Sequence, residues 1–103
     1  MTDAVEITTF HLASGHTLKS FIEANADVDA WLVRQPNFVS RRILQRPDGE
    51  IVDLLVWTSK AAGVDGAERL MTELADSPVH AAIDQATVSW SVTSTSHHVG
   101  AAA

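Results

Sequence analysis

The stretch Ile51-Val52-Asp53-Leu54-Leu55-Val56-Trp57 decides the fold of this chain. A strand with one face in water alternates apolar and polar residues, whereas this one is apolar at both sets of positions except at Asp53. Both faces of the strand are therefore expected to be covered. A chain of 103 residues forms one domain and has too few residues to cover both faces of a sheet. The sequence thus predicts helices on one face and a second copy of the chain on the other.

Four strands are predicted, in segments rich in β-branched and aromatic residues over 4–12, 38–45, 51–58 and 87–96. The tetrapeptide Arg46-Pro47-Asp48-Gly49 predicts a hairpin turn between the second and third strands. Ser77-Pro78 predicts a cap and a short turn that ends at Ile83. We expect a single domain over 1–103 and a disordered tail over 97–103.

Two helices are predicted between these strands. Apolar residues recur at helical spacing from Leu18 onward, so one long amphipathic helix is expected after the cap Thr17, ending before Pro36. Ser59 caps a second helix, in which glycines at 63 and 66 predict a late or irregular start. The order is therefore β-α-β-β-α-β, an α+β antiparallel sheet. Right-handed crossovers put both helices on one face and strands one and three in the centre.

The composition excludes several classes of partner. A formal net charge of -6 with one local basic cluster, at Arg41, Arg42 and Arg46, argues against nucleic acid. The chain has no cysteine, which excludes disulfides and thiolate chemistry. No apolar stretch approaches the roughly 20 residues that span a bilayer, and no signal peptide is visible. We expect a soluble cytoplasmic protein that binds neither nucleic acid nor a membrane.

Two residues are the main candidates for chemistry. Asn25 lies on the inner stripe of the first helix, where an amide either points into a cavity and stabilises an oxyanion or bonds a neighbouring backbone group. Trp57, at the end of the third strand, is large enough to form the wall of a pocket for a planar ligand. Further contacts with a ligand are predicted for Phe21, Trp31 and Trp90.

Charged and imidazole side chains supply the remaining candidates. Arg42 is predicted to pair with Asp53 across the hairpin, mainly as a structural ion pair, and also to contact the ligand. His11 and His80 lie near the body of the fold and have the acid–base chemistry suited to neutral pH, although a lone histidine is often only structural. The sequence has no helical His/Glu spacing typical of a metal site.

Specific stretches within about residues 5–92 resemble the dimeric α/β-barrel superfamily, in particular small proteins related to the antibiotic-biosynthesis monooxygenases. The stretches are Ala24-Asn25, Trp31-Leu32, Gln35-Pro36-Asn37-Phe38, Ser40-Arg41-Arg42, Asp48-Gly49, Val52-Asp53-Leu54, Trp57-Thr58-Ser59, Ser77-Pro78, Ile83-Asp84 and Thr87-Val88. The resemblance implies a ferredoxin-like protomer that dimerises through its sheet, with a hydrophobic cavity between sheet and helices.

The resemblance also implies a chemistry. Monooxygenases of this group oxidise polycyclic aromatic substrates without a metal or flavin cofactor, and Asn25 and Trp57 match the residue types that usually assist. In this interpretation Trp57 stacks on the substrate, Asn25 stabilises its anion, and His11 or His80 removes a proton. Haem-degrading relatives carry an Asn on strand one, which this chain lacks. A non-catalytic ligand-binding or stress-related protein and a purely structural dimer are the alternatives.

Overall fold

The computed structural model describes residues 2–101, which form a four-stranded antiparallel sheet with its helices on one face. The chain has an α+β ferredoxin-like fold, as predicted. Its strands are β1 Ala4–Phe10, β2 Phe38–Gln45, β3 Ile51–Trp57 and β4 Ser89–Ser94. Its helices are α1 Leu18–Ala24, α2 Ala26–Val33 and α3 Lys60–Glu73, followed by two short 3₁₀ helices, His80–Ala82 and Gln85–Thr87.

The sheet has the strand order β2-β3-β1-β4, so β1 and β3 are the central pair, as predicted. In the hairpin, Gly49 has a φ of 93° and its backbone N–H donates to the carbonyl of Arg46 at 2.9 Å, which confirms the predicted turn. Residues 97–101 form neither helix nor strand, and 102 and 103 lie outside the described residues. No helix within residues 2–101 is long and apolar enough to cross a bilayer.

The two faces of the sheet have different surroundings. On the helix side, Phe10, Ile51 and Trp57 are buried in one core with Phe21 of α1 and Leu32 of α2. On the outer side, no helix of the described chain covers the alternating apolar residues, which are Val5, Ile7, Leu44, Val52, Leu54 and Val56. The continuous apolar pattern of β3 is thus covered by this chain on one side only.

The first helix is divided, and the prediction of one long helix is wrong. Asn25 interrupts it with φ −91° and ψ 3°. Its side-chain Nδ2 donates at 2.8 Å to the carbonyl of Phe21, which a continuing helix would pair with a backbone N–H. Its own backbone N–H donates to Ile22 instead, at 3.1 Å. The side chain of Asn25 therefore replaces one backbone donor and ends α1 before α2 begins.

The predicted irregular start of the second helix is also wrong, because α3 runs from Lys60 without interruption. Ser59 caps it as predicted, its Oγ accepting from the backbone N–H of Ala62 at 3.1 Å. Gly63 and Gly66 are both buried within this helix and lie against the indole of Trp57. Their lower helix propensity is offset by the close packing that the absence of a Cβ atom allows.

Candidate active site

A cavity of about 610 Å³ lies between the sheet and the helices, and both Asn25 and Trp57 line it. Its volume falls within the range of ordinary small-molecule sites. Met71 of α3 and Trp90 of β4 also line it, and these residues are 60% and 47% exposed. The cavity is therefore open to solvent rather than closed.

The helices and loops supply mostly apolar walls, whereas the floor of the cavity carries polar groups. The wall residues include Phe21, Val28, Leu32, Leu70, Val79, Ile83 and Val88. The floor comes from alternate positions of three strands, with Glu6 and Thr8 from β1, Arg41 from β2 and Asp53 from β3. A site with apolar walls and a few convergent polar groups suits a ligand that is largely hydrophobic and carries polar substituents at one end.

Glu6 is a buried carboxylate held by two tryptophans. The indole Nε1 of Trp57 donates to its Oε1 at 2.9 Å, and that of Trp90 donates to its Oε2 at 2.7 Å. Burial raises the pKa of Glu6 above its ordinary value, with a smaller contribution from the charge of Asp53. The two indole hydrogen bonds and the charge of Arg41 act in the opposite direction without cancelling the effect. A buried acid with a raised pKa in a ligand-sized cavity is a candidate for proton transfer.

Asp53, the second buried carboxylate of the floor, is neutralised by Arg41. Nε and Nη2 of Arg41 donate to its two oxygens at 3.0 and 2.7 Å, which is a bidentate pair. Arg41 also binds Asp29 with Nη1 and Oδ1 of Asn25 with Nη2, each at 2.8 Å. Burial acts to lower the pKa of Arg41, but its bonds to Asp53 and Asp29 outweigh this and raise it. The guanidinium therefore stays charged and fixes the orientation of the Asn25 amide.

The predicted pairing of Arg42 with Asp53 is wrong. Ile43 lies directly opposite Asp53, and Arg42 lies opposite Leu54 on the outer face, where it is exposed and away from the cavity. Arg41 takes the pairing role because its side chain lies on the same face as Asp53, one diagonal step along the ladder. Counting outward from the hairpin turn would have found this register. A one-residue error in that count moves a side chain to the other face.

The structure brings one of the two candidate histidines to the cavity. His80 lines it, and its Nε2 lies 2.8 Å from the carbonyl of Leu74, so this nitrogen must be the donor. His11 follows β1 outside the cavity, with its backbone N–H donating to Oγ1 of Thr87 at 2.8 Å. The prediction that His11 acts on a ligand in this cavity is therefore not supported by its position.

Among the predicted ligand contacts, Phe21 and Trp90 line the cavity and Trp31 does not. Trp31 is buried, with its Nε1 donating to Oε1 of Glu73 at 3.2 Å and the guanidinium of Arg69 lying 5.3 Å from its ring centroid. A helix presents its buried residues over a wide arc, so a tryptophan on the apolar stripe of α2 packs toward α3. The correction is that Trp31 stabilises the contact between helices.

Glu6 and Arg41 are charged residues of the cavity floor that the sequence analysis did not propose as site residues. A signal for Glu6 was present, because Ala4, Glu6 and Phe10 share one face of β1 and the two neighbours are apolar. A charged residue at a position of core periodicity is rarely buried without partners. Its partners, Trp57 and Trp90, are 51 and 84 positions away in the chain, so only the fold identifies them.

Solved structures with the same architecture include two bacterial oxygenases. SnoaB, a cofactor-independent oxygenase from Streptomyces nogalater, superposes with a TM-score of 0.73 and 19% identity, over 96% of this chain and 97% of its own. A monooxygenase from the gene ActVA-Orf6 of Streptomyces coelicolor, in complex with nanaomycin D, gives 0.73 and 20% identity, over 98% and 94%. These likenesses confirm the predicted resemblance to monooxygenase-type proteins at the level of the fold.

The fold is also shared with proteins whose names indicate no reaction. A conserved protein from Methanosarcina mazei Go1 superposes with a TM-score of 0.66 and 7% identity, over 90% of this chain and 92% of its own. No protein-family model matches the sequence. A sequence search of the curated proteins likewise finds no match. The chain thus has a ferredoxin-like fold that the two Streptomyces oxygenases share.

Proposed function

We propose that this protein is a cofactor-independent monooxygenase that acts on a small aromatic or polyketide-like substrate in the cavity between sheet and helices. One observation carries the proposal: a cavity of ligand size joins aromatic walls to buried acidic and amide groups at a single floor. The names of the two Streptomyces oxygenases support the same class of chemistry. The cavity defines the shape and polarity of the ligand.

The proposed reaction converts a hydroxyarene and dioxygen into a quinone and water. A ring hydroxyl loses its proton, and the resulting anion transfers an electron to dioxygen. The two radicals combine at a ring carbon that carries hydrogen, which gives a peroxide. Loss of that carbon's proton with cleavage of the O–O bond leaves one oxygen atom as the new carbonyl and the other as water. The substrate supplies all the electrons, so the chain needs only to bind, orient and exchange protons.

Asn25 is suited to stabilise the substrate anion. One hydrogen of its Nδ2 is used by the carbonyl of Phe21, so one N–H remains to donate, and the proposal requires the ligand to reach this fully buried side chain by displacing its neighbours. The hydrogen bond from Arg41 to Oδ1 fixes which way the amide faces. A preoriented donor stabilises developing negative charge without reorganising during the reaction. Trp90, which is nearly half exposed, provides aromatic surface for the ring of the substrate, whereas Phe21 and Trp57 also line the cavity but are buried.

Oxygen uptake with a hydroxynaphthacene, followed by mass spectrometry after reaction under ¹⁸O₂, tests the proposal. The wild-type protein should consume oxygen and add one labelled atom to the product. Asn25→Ala should reduce the rate by about 10²- to 10³-fold, the range for losing an oxyanion donor. Gln45→Ala, on the exposed part of β2, is the control and should keep the wild-type rate. Unlabelled product, or no oxygen uptake with any hydroxyarene, would contradict the proposal.

A non-catalytic ligand-binding protein is the second candidate. The observation that favours it is that both polar atoms of Asn25 are hydrogen-bonded within the chain. Nδ2 donates to the carbonyl of Phe21, and Oδ1 accepts from Arg41. A group bound in this way serves a structural purpose even without a substrate. Saturable binding of small hydroxyarenes with no product after prolonged incubation would support this function over the first.

We further propose that the protein is a homodimer that packs the outer faces of two sheets together. Leu54 and Ile7 lie directly opposite each other in the ladder on that face, and Ile7 is 37% exposed in the single chain. Burying such an apolar face gains free energy roughly in proportion to its area. The cytoplasmic location expected from the sequence stays a prediction.

A further inference from the structure

The floor of the cavity holds two buried carboxylates in contrasting surroundings. Asp53 is paired in a bidentate manner with the cation of Arg41, and its charge is balanced. Glu6 is held only by the neutral N–H groups of two indoles. Neutral donors orient a carboxylate but leave its charge in place. Of two carboxylates in such different surroundings, the one without a paired cation is the better proton acceptor.

The geometry leaves Glu6 able to meet a ligand. Each of its oxygens accepts one indole hydrogen bond and has further acceptor capacity, and the residue lines the cavity. Trp90, one of its two partners, also lines the cavity and is nearly half exposed, so the hydrogen-bonded pair of Glu6 and Trp90 links the buried floor to the protein surface. Two indole donors also fix the plane of the carboxylate and so the direction of any transferred proton.

The other charged and titratable groups that line the cavity limit the kind of ligand. They are Asp53 and Arg41 on the sheet, Glu68 on α3 and His80 on the 3₁₀ helix. With Glu6 ionised, the floor itself carries one positive and two negative charges. An anionic ligand would therefore be repelled, whereas a neutral ligand with a hydrogen-bond donor would be attracted.

We propose that Glu6 is the proton acceptor of this cavity and that its ligand is a neutral aromatic molecule whose ring hydroxyl donates to the carboxylate. The inference rests on the proposed function and assigns the base that the histidines were expected to supply. In the reaction, the hydroxyl O–H bond breaks and its proton passes to an oxygen of Glu6. The same proton later neutralises the hydroxide released from the O–O bond, so water forms and the carboxylate is regenerated.

A matched pair of probes tests the ligand class without requiring turnover. 1-Naphthol and 1-methoxynaphthalene share a ring system and differ in the hydroxyl hydrogen. Wild-type protein should bind the naphthol about ten- to a hundredfold more tightly, the range for a hydrogen bond to a charged group. Glu6→Gln removes the charge and should reduce this preference to less than threefold. The control Glu23→Gln, on an exposed position of α1, should keep it.

A second variant separates proton transfer from simple packing. Trp90→Phe keeps an aromatic ring in the cavity lining and deletes one of the two hydrogen bonds to Glu6. Because that bond lowers the pKa of Glu6, its loss should raise the pKa further. Carboxyl ¹³C NMR measures that pKa directly. In a plot of oxygenation rate against pH, the acidic limb should shift to higher pH by the same amount. An acidic limb that does not move in Trp90→Phe would overturn the role of Glu6 as base.

The outcomes distinguish the two proposals. Oxygenation by the wild type with unchanged rate and pH profile in Glu6→Gln would overturn the role of Glu6 and leave the proposed function intact. Selective binding of naphthol that depends on Glu6, without oxygenation of any hydroxyarene, would support Glu6 as acceptor and overturn the monooxygenase. Equal affinity of the wild type for both probes, or no binding of either at millimolar concentration, would overturn the ligand class.

Discussion

Gly66 of α3 lies so close to Trp57 of β3 that a Cβ atom on the glycine would be 2.5 Å from Cη2 of the indole. The ring cannot retreat easily, because it also contacts Gly63 and Phe38 and donates its N–H to Glu6. The distance between helix and sheet at this point is therefore set by the absence of a side chain. The same contact fixes the indole that holds Glu6 in place.

Gly66→Ala should destabilise the protein even though alanine favours helix. The gain in helix propensity is about 1 kcal/mol, whereas overpacking a rigid core site costs about 1–3 kcal/mol. We expect a net loss of about 1 kcal/mol, and at most about 2 kcal/mol, in the free energy of unfolding, measured by urea denaturation.

A double-mutant cycle with Trp57→Phe identifies the cause of that loss. The smaller ring relieves the contact, so Gly66→Ala should cost less in the Trp57→Phe background than in the wild type. Equal costs in the two backgrounds would show that the indole is not what excludes a side chain at Gly66. The control Ala61→Gly lies at an exposed position of the same helix. It measures the change in stability due to helix propensity alone, which is about 1 kcal/mol.

The ion pair of Arg41 with Asp53 gives a second prediction. Both side chains are about nine-tenths buried, so removing the cation leaves a carboxylate without its charge partner. Arg41→Met should lower the free energy of unfolding by about 3–5 kcal/mol, the usual cost of breaking a buried pair. Arg41→Met combined with Asp53→Leu should recover much of that loss, since the apolar pair leaves no uncompensated charge.

Urea denaturation of the two variants and of the control Arg34→Met provides the measurement. Arg34 follows α2 in an exposed position, so its replacement should change stability by no more than about 0.5 kcal/mol. A single variant Arg41→Met as stable as the wild type would mean that the pair contributes nothing to folding.

The fold could be predicted from local patterns because each pattern corresponds to a local physical cause. The continuous apolar run of β3, the caps at Thr17 and Ser59, and the turn before Gly49 are all defined within a few residues. The division of the first helix could not be read in the same way. Asn25 is compatible with a helix, and it breaks α1 from α2 through a side-chain bond that also depends on Arg41, 16 positions away.

The site was less predictable than the fold, since its important pairs are distant in the chain. The sequence analysis identified Asn25 and Trp57 as candidates from their residue types and positions, and both line the same cavity. Glu6 was missed because nothing near it in sequence indicates that a carboxylate has two indole partners. The choice of Arg42 over Arg41 failed because side-chain direction in a strand depends on register, which local composition does not specify.

The outer face of the sheet gives a third prediction, which concerns assembly. Leu54→Lys places a charge at the centre of that face without touching the core under the helices. We expect the wild type to sediment as two chains at micromolar concentration and the variant to sediment as one, because a buried unpaired charge is costly. The control Val33→Lys changes a residue that is 73% exposed on α2 and should leave the dimer intact. A wild type that sediments as one chain would contradict the dimer.

The raised pKa of Glu6 gives a fourth prediction, on stability against pH. A folded-state pKa above the unfolded value means that the folded state binds this proton more tightly, so the contribution of Glu6 to stability is present in acid. That contribution is lost as the pH rises from about 4.3, the ordinary glutamate value, through the raised pKa. Glu6→Gln cannot ionise, so its free energy of unfolding should increase relative to that of the wild type across this interval.

Urea denaturation of both proteins between pH 4 and pH 8 provides the comparison, with Glu23→Gln as the control. A constant difference between wild type and Glu6→Gln over the whole range would show that the carboxyl group titrates as an ordinary glutamate, unaffected by its burial.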